Sequence, residues 1–590
     1  MPSTFFGLNI GATGLFTYQT ALNTTSHNIV NTETKGYTRQ VVNQKAGMPI
    51  SVNNTYGMVG TGVDVTGITQ VRNDYYDLKY RKSNTIYGAY AAKQYFMNEI
   101  ENYFNEVSLD GFTTSFNKFF DSLQELSKNP GGLTERTAVT SYAQSLTEYF
   151  NSMATSLKSV QEECNFEVKN QVDKINSLGQ QIATLTKQIN VLEVNGGTAN
   201  DLRDQRQVLL DELSYIVNIT YDEQVVGDGV GVTSFTVKID GQTLVSNDEY
   251  NTLKVVPREN KLNQNDADGL YDIVWSNGNT FSTQSASLSG YLKSLIEIRD
   301  GNNNENLQSS SGTIDPDKAN VLILTQTNIN SIEKLNIPEK GVITIGNEEY
   351  AYSGFTVKYD TDSKTCEYTF TFEKDLPDDI VKNISSKKIS IGNSIDYKGI
   401  PYYMGRLNEL VRTFSKEFNT LHKSGEDLDG EQGKDFFAAN REGTKTGFTE
   451  YEDYYKLTAA NFIVSETISG DPRKLVTGSA TENGVEKKDI LEKLIALKSD
   501  VSMFKQGTPA SYFQKLVAEV GTDAKKADDF TENQSDILKM IQKQRLSVSG
   551  VDANEEAMNM IKYQYAYNLS AKVIQIMNEI YDKLINGTGI

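Results

Sequence analysis

The sequence predicts an α+β multidomain fold: terminal helices pairing as a coiled coil, a discontinuous long-helix bundle domain, and two β-rich domains. Three observations carry that prediction. First, no Lys, Arg, Asp or Glu occurs from Met1 to Thr32, and Leu8, Ala12, Leu15, Leu22 and Ile29 fall on one alternating 4-3 stripe with Gln19 and Ser26. Second, Met558, Ile561, Tyr565, Leu569, Val573, Ile576, Ile580 and Leu584 recur every 3 or 4 residues at the other end. Each pattern describes a helix with a narrow apolar seam that one helix cannot bury alone. Polar termini fray, whereas two seamed termini imply a chain that leaves and returns at one place and zips there. Third, long helical runs are interrupted by stretches whose apolar period is two.

The elements follow in order. After a turn at Gly36, short extended pieces run from Val41 to Thr69. Helical patterns cover Asp74 to Val107, with many tyrosines, and Gly111 to Pro130, whose Phe112, Phe116, Phe119, Leu123 and Leu126 share one face. Pro130-Gly131-Gly132 stops the second of these. A long run from Thr134 to Val194 follows, with coiled-coil spacing at Val168, Val172, Ile175, Ile182, Leu185, Ile189 and Leu192. Asn195-Gly196-Gly197 reverses the chain into Leu202 to Ile216, which completes an αα-hairpin. From Ile219 the period becomes two, in segments Ser234 to Ile239, Thr252 to Val256 and Tyr271 to Trp275 separated by Asp-Gly or Asn-Gly turns. Ser287 to Gly301 is helical again, and a second β-rich block runs from about Asn302 to Lys398. Helix resumes in the segment from Gly399 to Phe437, in Val485 to Gln506 and from Tyr512 through Leu546.

Composition excludes several function classes. At 590 residues the chain is too long for one core. Lys+Arg of 57 against Asp+Glu of 77 gives a net charge of −20, with no basic run, so nucleic acid and anionic membranes are not expected partners. No apolar stretch reaches the about 18 residues a membrane span requires. The N-terminus lacks the basic region and apolar core of a cleaved signal peptide. Cys164 and Cys366 lack partners at metal-binding spacing and are expected to be buried or inert thiols. His27 and His422 are the only histidines, which excludes multi-His metal sites and most His-based triads. Gly227-Asp228-Gly229-Val230-Gly231 precedes a strand pattern and reads as a hairpin turn, not a phosphate loop. Asp266, Asp268 and Gly269 resemble half a calcium loop, but Trp275 stands where the closing glutamate belongs, and Asp427, Asp429 and Gly430 fail likewise at Phe436. No cofactor, metal or catalytic residue is expected.

Residues 26 to 40, SHNIVNTETKGYTRQ, resemble the N-terminal signature of bacterial flagellar axial proteins, the rod, hook and hook-associated family. Asn28, Ile29, Asn31, Thr32, Gly36, Tyr37 and Arg39 match; Val30 replaces the usual Ala, and Thr34-Lys35 stands where many members have Pro. Glu555 to Leu584 is similar to the family's closing helix, through its paired acidic start, Ile561, Gln564, Ala566 and Tyr567. ANDLRDQRQVLLDEL (Ala199 to Leu213) and the segment Phe418-Asn419, His422, Gly425, Asp427-Leu428, Gly430, Gly433, Phe436-Phe437 resemble the hook-associated branch rather than hook or rod members.

The resemblance implies a non-enzymatic structural protein at the hook–filament junction, outside the cell, exported without a cleaved signal peptide. Implied partners are further copies of the chain in a ring or helical array, the hook protein, the next hook-associated junction protein and an export chaperone. Assembly is expected to use Leu8, Ala12, Leu15, Leu22, Asn28, Ile29, Asn31, Gly36, Tyr37 and the stripe Met558, Ile561, Tyr565, Leu569, Val573, Ile576, Ile580 and Leu584. Four units are expected: 1–70 with 546–590, a terminal assembly domain; 71–220 with 399–545, the bundle; 221–301, a β-rich domain with its return helix; and 302–398, an inserted β-rich domain touching little else. The two β-rich domains are expected outermost. A hook or rod component, or a secreted coiled-coil adhesin using 302–398 as its binding module, are the alternatives.

Overall fold

The computed structural model describes residues 5–53, 57–104, 111–194, 196–226, 232–480, 487–504 and 507–587. Helix α1 (Phe6–Val30) is followed by an antiparallel ribbon of strands Gln40–Ala46 and Val63–Gln70, with a bulge between Asn43 and Gln44, and by the small hairpin Ile50–Asn53 with Gly57–Val59. Next come α2 (Asp74–Phe104), α3 (Phe112–Leu126), the 61-residue α4 (Leu133–Glu193) and α5 (Asn200–Ile216). The predicted turns at Asn195 and at Gly227–Gly231 fall wholly or partly outside the described residues. Strands Ile219–Val225 and Thr233–Ile239, on either side of the second, do pair antiparallel. They begin a four-stranded sheet, beside which Leu253–Pro257 pairs with Tyr271–Trp275.

Helix α6 (Tyr291–Asp300) leads back to the bundle. A seven-stranded antiparallel sheet then spans Gln308–Ser309 to Ile389–Ile391, with Glu348–Asp360 and Thr365–Phe372 at its centre. The chain returns through helix Ile400–His422, the short helix Asp489–Ala496 and the long helix Pro509–Ser549, and ends in the closing helix Ala553–Asn586. The expected helix from Val485 to Gln506 is thus shorter, giving way to a 3-10 turn at Leu497–Ser499.

Aromatic packing builds the bundle core. Phe119 of α3 lies 5.7 Å from Phe418, 6.1 Å from Phe436 and 6.0 Å from Phe437, ring centre to ring centre. Offset and edge-on ring pairs of this kind add about 0.5–1.5 kcal/mol each beyond the area they bury. α2 and helix 509–549 run antiparallel, joined by hydrogen bonds from Lys79 to Gln544 (3.1 Å) and from Gln94 to Asp528 (3.0 Å). Both cysteines are buried; the Cys164 thiol donates to the Leu295 carbonyl at 3.2 Å, joining α4 to α6.

The 302–398 block is not the loosely attached insert that was expected. The fully buried Arg412 of helix 400–422 donates to the carbonyls of Leu335 (2.6 Å) and Glu333 (3.2 Å) in that block. Its other donors reach the carbonyls of Leu457 (2.7 Å) and Tyr455 (2.7 Å) and the side chain of Gln264 (2.6 Å). Phe355 and Tyr359 of the sheet pack edge-on against Tyr455 and Tyr451, both at 5.1 Å. Deleting residues 302–398 would remove the Leu335 and Glu333 acceptors of a buried guanidinium, and a buried donor left unsatisfied costs about 1–3 kcal/mol.

α1 and the closing helix pair antiparallel. Phe5 packs at a tilt against Tyr581 (5.1 Å) and Tyr18 stacks on Tyr563 (6.5 Å), and between them glycines allow close approach. A Cβ at Gly11 would stand 2.7 Å from Ile574 Cγ1, and one at Gly14 2.8 Å from Ser570 Oγ. Gly11→Leu is therefore predicted to wedge the pair open: overpacking costs about 1–3 kcal/mol, against about 1 kcal/mol gained in helix propensity. Asn9→Leu, on the exposed side of α1, gains the propensity without the wedge. Protease cleavage inside α1 should accelerate for Gly11→Leu and not for Asn9→Leu; equal rates would mean the glycine is not needed for close approach.

Candidate functional site

The terminal helices meet, but not along the predicted stripes. On α1 the buried positions are Gly11, Gly14, Thr17, Ala21, Thr24, Thr25 and Asn28; four of them, Gly11, Gly14, Ala21 and Asn28, come one residue before Ala12, Leu15, Leu22 and Ile29, which with Leu8 are only half-buried. On the closing helix the inward residues Ser570, Ile574, Met577 and Tyr581 come one residue after Leu569, Val573, Ile576 and Ile580. One residue is about 100° of rotation. The predicted stripe Met558, Ile561, Tyr565, Leu569, Val573, Ile576, Ile580 and Leu584 therefore faces outward, with exposures from 42% at Val573 to 70% at Ile561. Backbones approach where side chains are small, so the glycine face of α1 forms the seam and receives Ile574 and Met577 of the closing helix. Met48, just before the hairpin beside the ribbon, and Ile50 and Met58 on it are also exposed.

At the inner end of the pair the buried Asn28 satisfies all four of its hydrogen-bonding positions. Its amide donates to the Gln40 carbonyl (2.9 Å) and to Glu556 Oε2 (3.0 Å), while its oxygen accepts from the Gln40 amide (3.0 Å) and the Tyr37 hydroxyl (2.8 Å). Arg39 donates to the other oxygen of Glu556 at 2.8 Å, and its backbone amide to the Ser549 carbonyl at 2.9 Å. Asp552 caps the closing helix, accepting from the amides of Asn554 (2.8 Å) and Glu555 (3.2 Å), and so delivers Glu556 to the joint. Burial and the neighbouring Asp201, Asp204 and Glu556 push the Tyr37 phenol up, which keeps it a donor. Gly36 turns at φ +81°, and a Cβ there would overlap Val208 of α5. Asn31 stays half-buried, donating to the His27 carbonyl at 3.0 Å.

The motif in α5 supplies the next layer. Thr38 donates through its amide (2.8 Å) and its hydroxyl to Asp204. Arg72 bridges Asp204 (3.1 Å) and Asp77 (2.6 Å). Arg545 bridges Asp77 (2.8 Å) and Asp211 (2.6 Å), and Arg81 closes on Asp211 at 2.8 Å. Burial holds the Asp204 carboxyl above the usual carboxylate range despite its partners. Further along α5, Arg203 holds the buried Glu193 through two contacts of 2.7 Å and reaches Glu223 at 2.8 Å. Arg39 was read only as a match to the signature, and Asp77, Asp204, Asp211, Arg545 and Glu556 were not singled out individually from the sequence. Only the density of polar residues within Ala199 to Leu213 and the paired acidic start of the closing helix pointed toward them.

The segment 418–437 is architectural. Asn419 accepts from the amides of Phe436 and Phe437, both at 2.9 Å, and donates to the Phe437 carbonyl at 2.8 Å. Fully buried, His422 contacts the Lys434 carbonyl through Nδ1 (2.6 Å) and accepts from the Val476 amide at Nε2 (2.9 Å). Asp427 folds its own loop by accepting from the amides of Asp429 (2.8 Å) and Glu431 (2.9 Å). Gly430 lies at φ +78°, and a Cβ at Gly425 or Gly433 would overlap facing backbone. Asp266 is likewise committed, accepting from Gln161 (2.9 Å) and the Asn263 amide (2.8 Å). Among the described residues no three His, Cys, Asp or Glu side chains are placed to hold a metal ion, and no helix is long and apolar enough to cross a membrane. A cleft of about 790 Å³ beside the turn is lined by His27, Tyr37, Gln181, Asp201 and Val208.

Two predictions follow from this geometry. Asn28→Asp keeps the shape but loses both donors and sets a carboxylate against Glu556, which should weaken the joint by about 2–4 kcal/mol. Faster hydrogen exchange at the Gln40 amide checks it, and an unchanged rate would show that Asn28 does not hold the joint. Burial lowers the His422 pKa to about 4 from 6.5. A depressed folded-state pKa means stability present above 6.5 and lost as pH falls toward 4, amounting to about 3 kcal/mol. Urea midpoints between those limits should fall for the native chain and lose that component in His422→Gln.

A family profile described as flagellar hook-associated protein FlgK helical domain matches residues 97–316 and 325–437. A second, described as flagellar basal body rod FlgEFG protein C-terminal, matches residues 542–587. Flagellar hook-associated protein 1 of Bacillus subtilis (strain 168) is 27% identical over 605 residues, covering 100% of this chain and 99% of that one. Its namesake in Salmonella typhimurium (strain LT2) is 26% identical over 594 residues, covering 98% and 99%. The solved structure of the flagellar hook junction protein FlgK from Burkholderia pseudomallei aligns with a TM-score of 0.47 at 14% identity, over 80% of this chain and 100% of that chain. With more than half of its length matched by the first profile, the chain belongs to the flagellar hook-associated protein FlgK family.

Proposed function

We propose that this chain is a structural subunit of the bacterial flagellum that forms the junction between hook and filament by self-assembly through its terminal helices. The observation that carries this reading is the two-faced closing helix. One face is sealed on α1, while a face about 100° round from it presents eight apolar residues to solvent. An apolar stripe of that length, left outside by a pair already complete, is a surface for neighbouring subunits. The partners of this reading are further copies in a ring or helical array, the hook protein on one side, the next hook-associated junction protein on the other, and an export chaperone before assembly. In this reading the chain is a structural part rather than an enzyme and works outside the cell. Residues 1–70 with 546–590 act as the assembly unit and 71–220 with 399–545 as the bundle behind it, with 221–301 and 302–398 outermost.

Leu569 lies mid-stripe and is 51% exposed, so Leu569→Asp should leave the melting temperature of the isolated chain nearly unchanged. In the assembly each Leu contributes roughly 1.5–3 kcal/mol of burial, and an unpaired buried carboxylate costs several kcal/mol. Cells carrying only Leu569→Asp are expected to bear hooks without filaments and to release filament subunits into the medium. Normal swimming by such cells would refute the reading.

A further inference from the structure

The chain sorts its methionines by location. Met97, Met153 and Met404 lie in the bundle core at 0%, 5% and 4% exposure. Met48 just before the hairpin, Met58 on it, Met558 on the outward stripe and Met540 on helix 509–549 stand at 81%, 68%, 67% and 51%. Met503, Met560 and Met577 are half-buried, so the fully shielded thioethers hold the core and the most accessible ones lie outside it. Met58 lies opposite Ser51 and Ile50 opposite Val59, so Met58 and Ile50 stand exposed on the two faces of the hairpin, with Met48 exposed just before it. Met558 is three residues before Ile561 on the stripe.

We infer that Met48, Met58 and Met558 are oxidation sites through which a peroxide blocks assembly of the free subunit, an inference that rests on the assembly role proposed above. The sulfur lone pair attacks one peroxide oxygen and the O–O bond breaks. The sulfur is oxidised by two electrons to the sulfoxide, and the other oxygen leaves as water after proton transfer, or as an alcohol from an organic peroxide. The product is polar where the surface has to be apolar, while the core methionines and the fold stay untouched. A thiol-dependent sulfoxide reductase reverses the change. Subunits already packed against neighbours are shielded at the same atoms, so the modification acts before assembly and not after it.

The test treats the purified full-length chain with dilute hydrogen peroxide, maps oxidation by peptide mass, and measures sedimentation with isolated hooks. Met48, Met58, Met540 and Met558 should oxidise at least about tenfold faster than Met97, Met153 and Met404, and hook binding should fall at least about tenfold. The triple variant Met48→Leu, Met58→Leu, Met558→Leu should keep its binding through the same treatment. Without oxidant, Met58→Gln with Met558→Gln, whose side chains approximate the polarity of the sulfoxide, should bind hooks more weakly. Undiminished binding by the oxidised native chain, or equal loss by the leucine variant, overturns the inference while leaving the junction reading standing. An untreated native chain that does not bind hooks overturns the junction reading, and this inference with it.

Discussion

Six alternating charges run through the centre of the molecule: Asp204, Arg72, Asp77, Arg545, Asp211 and Arg81. They come from α5, the link after the ribbon, α2 and helix 509–549, segments up to several hundred residues apart. Buried ion pairs are poor sources of net stability, because desolvation offsets most of their attraction. Breaking one partner is expensive, however, and each guanidinium here binds a carboxylate in a fixed direction. The row therefore acts mainly on register. It sets where the two chain segments leading to the terminal helices leave the bundle, and Thr38 and Arg39 extend it to Asn28 and Glu556.

Periodicity revealed which segments are helices and which are strands, because apolar burial at a period of 3.6 or 2 leaves its mark on composition. Tyr271–Trp275 and the 61-residue α4 are cases where long patterns fixed the element nearly to the residue. Which face met which was not legible. Hydrophobic spacing highlights Leu15, Leu22 and Leu569, whereas the seam forms on Gly11, Gly14 and Ser570, which carry no hydrophobic signal. The charged row was invisible for another reason. Asp77 and Arg545 are adjacent only in three dimensions, and in a chain with 77 acidic residues no local spacing separates them from a solvated surface.

The segment 418–437 shows how a recognisable motif and a functional site differ. Its polar residues are spent on backbone: Asn419 on residues 436 and 437, His422 on 434 and 476, Asp427 on its own loop. They hold irregular chain against the aromatic core where no regular ladder can satisfy the amides. Arg412 does the same for the seven-stranded sheet, with carbonyls in place of a carboxylate. The attachment of the sheet is therefore written in the bundle helix as well as in the sheet's own Phe355 and Tyr359.

The hydrogen bond from Asn28 to Glu556 joins residues 528 apart in sequence. In an unfolded chain, closing such a loop is slow and entropically costly. Once the bundle has formed, its charged row already holds the two ends side by side, and the long closure becomes a short one. The order of events is then imposed by topology: the first helix to leave any channel or ribosome waits for the last. A truncated or half-delivered chain has a bare α1, with glycines facing water and no Glu556 to reach Asn28. The molecule thus inspects its own completeness, admitting to the joint only a chain that has arrived whole.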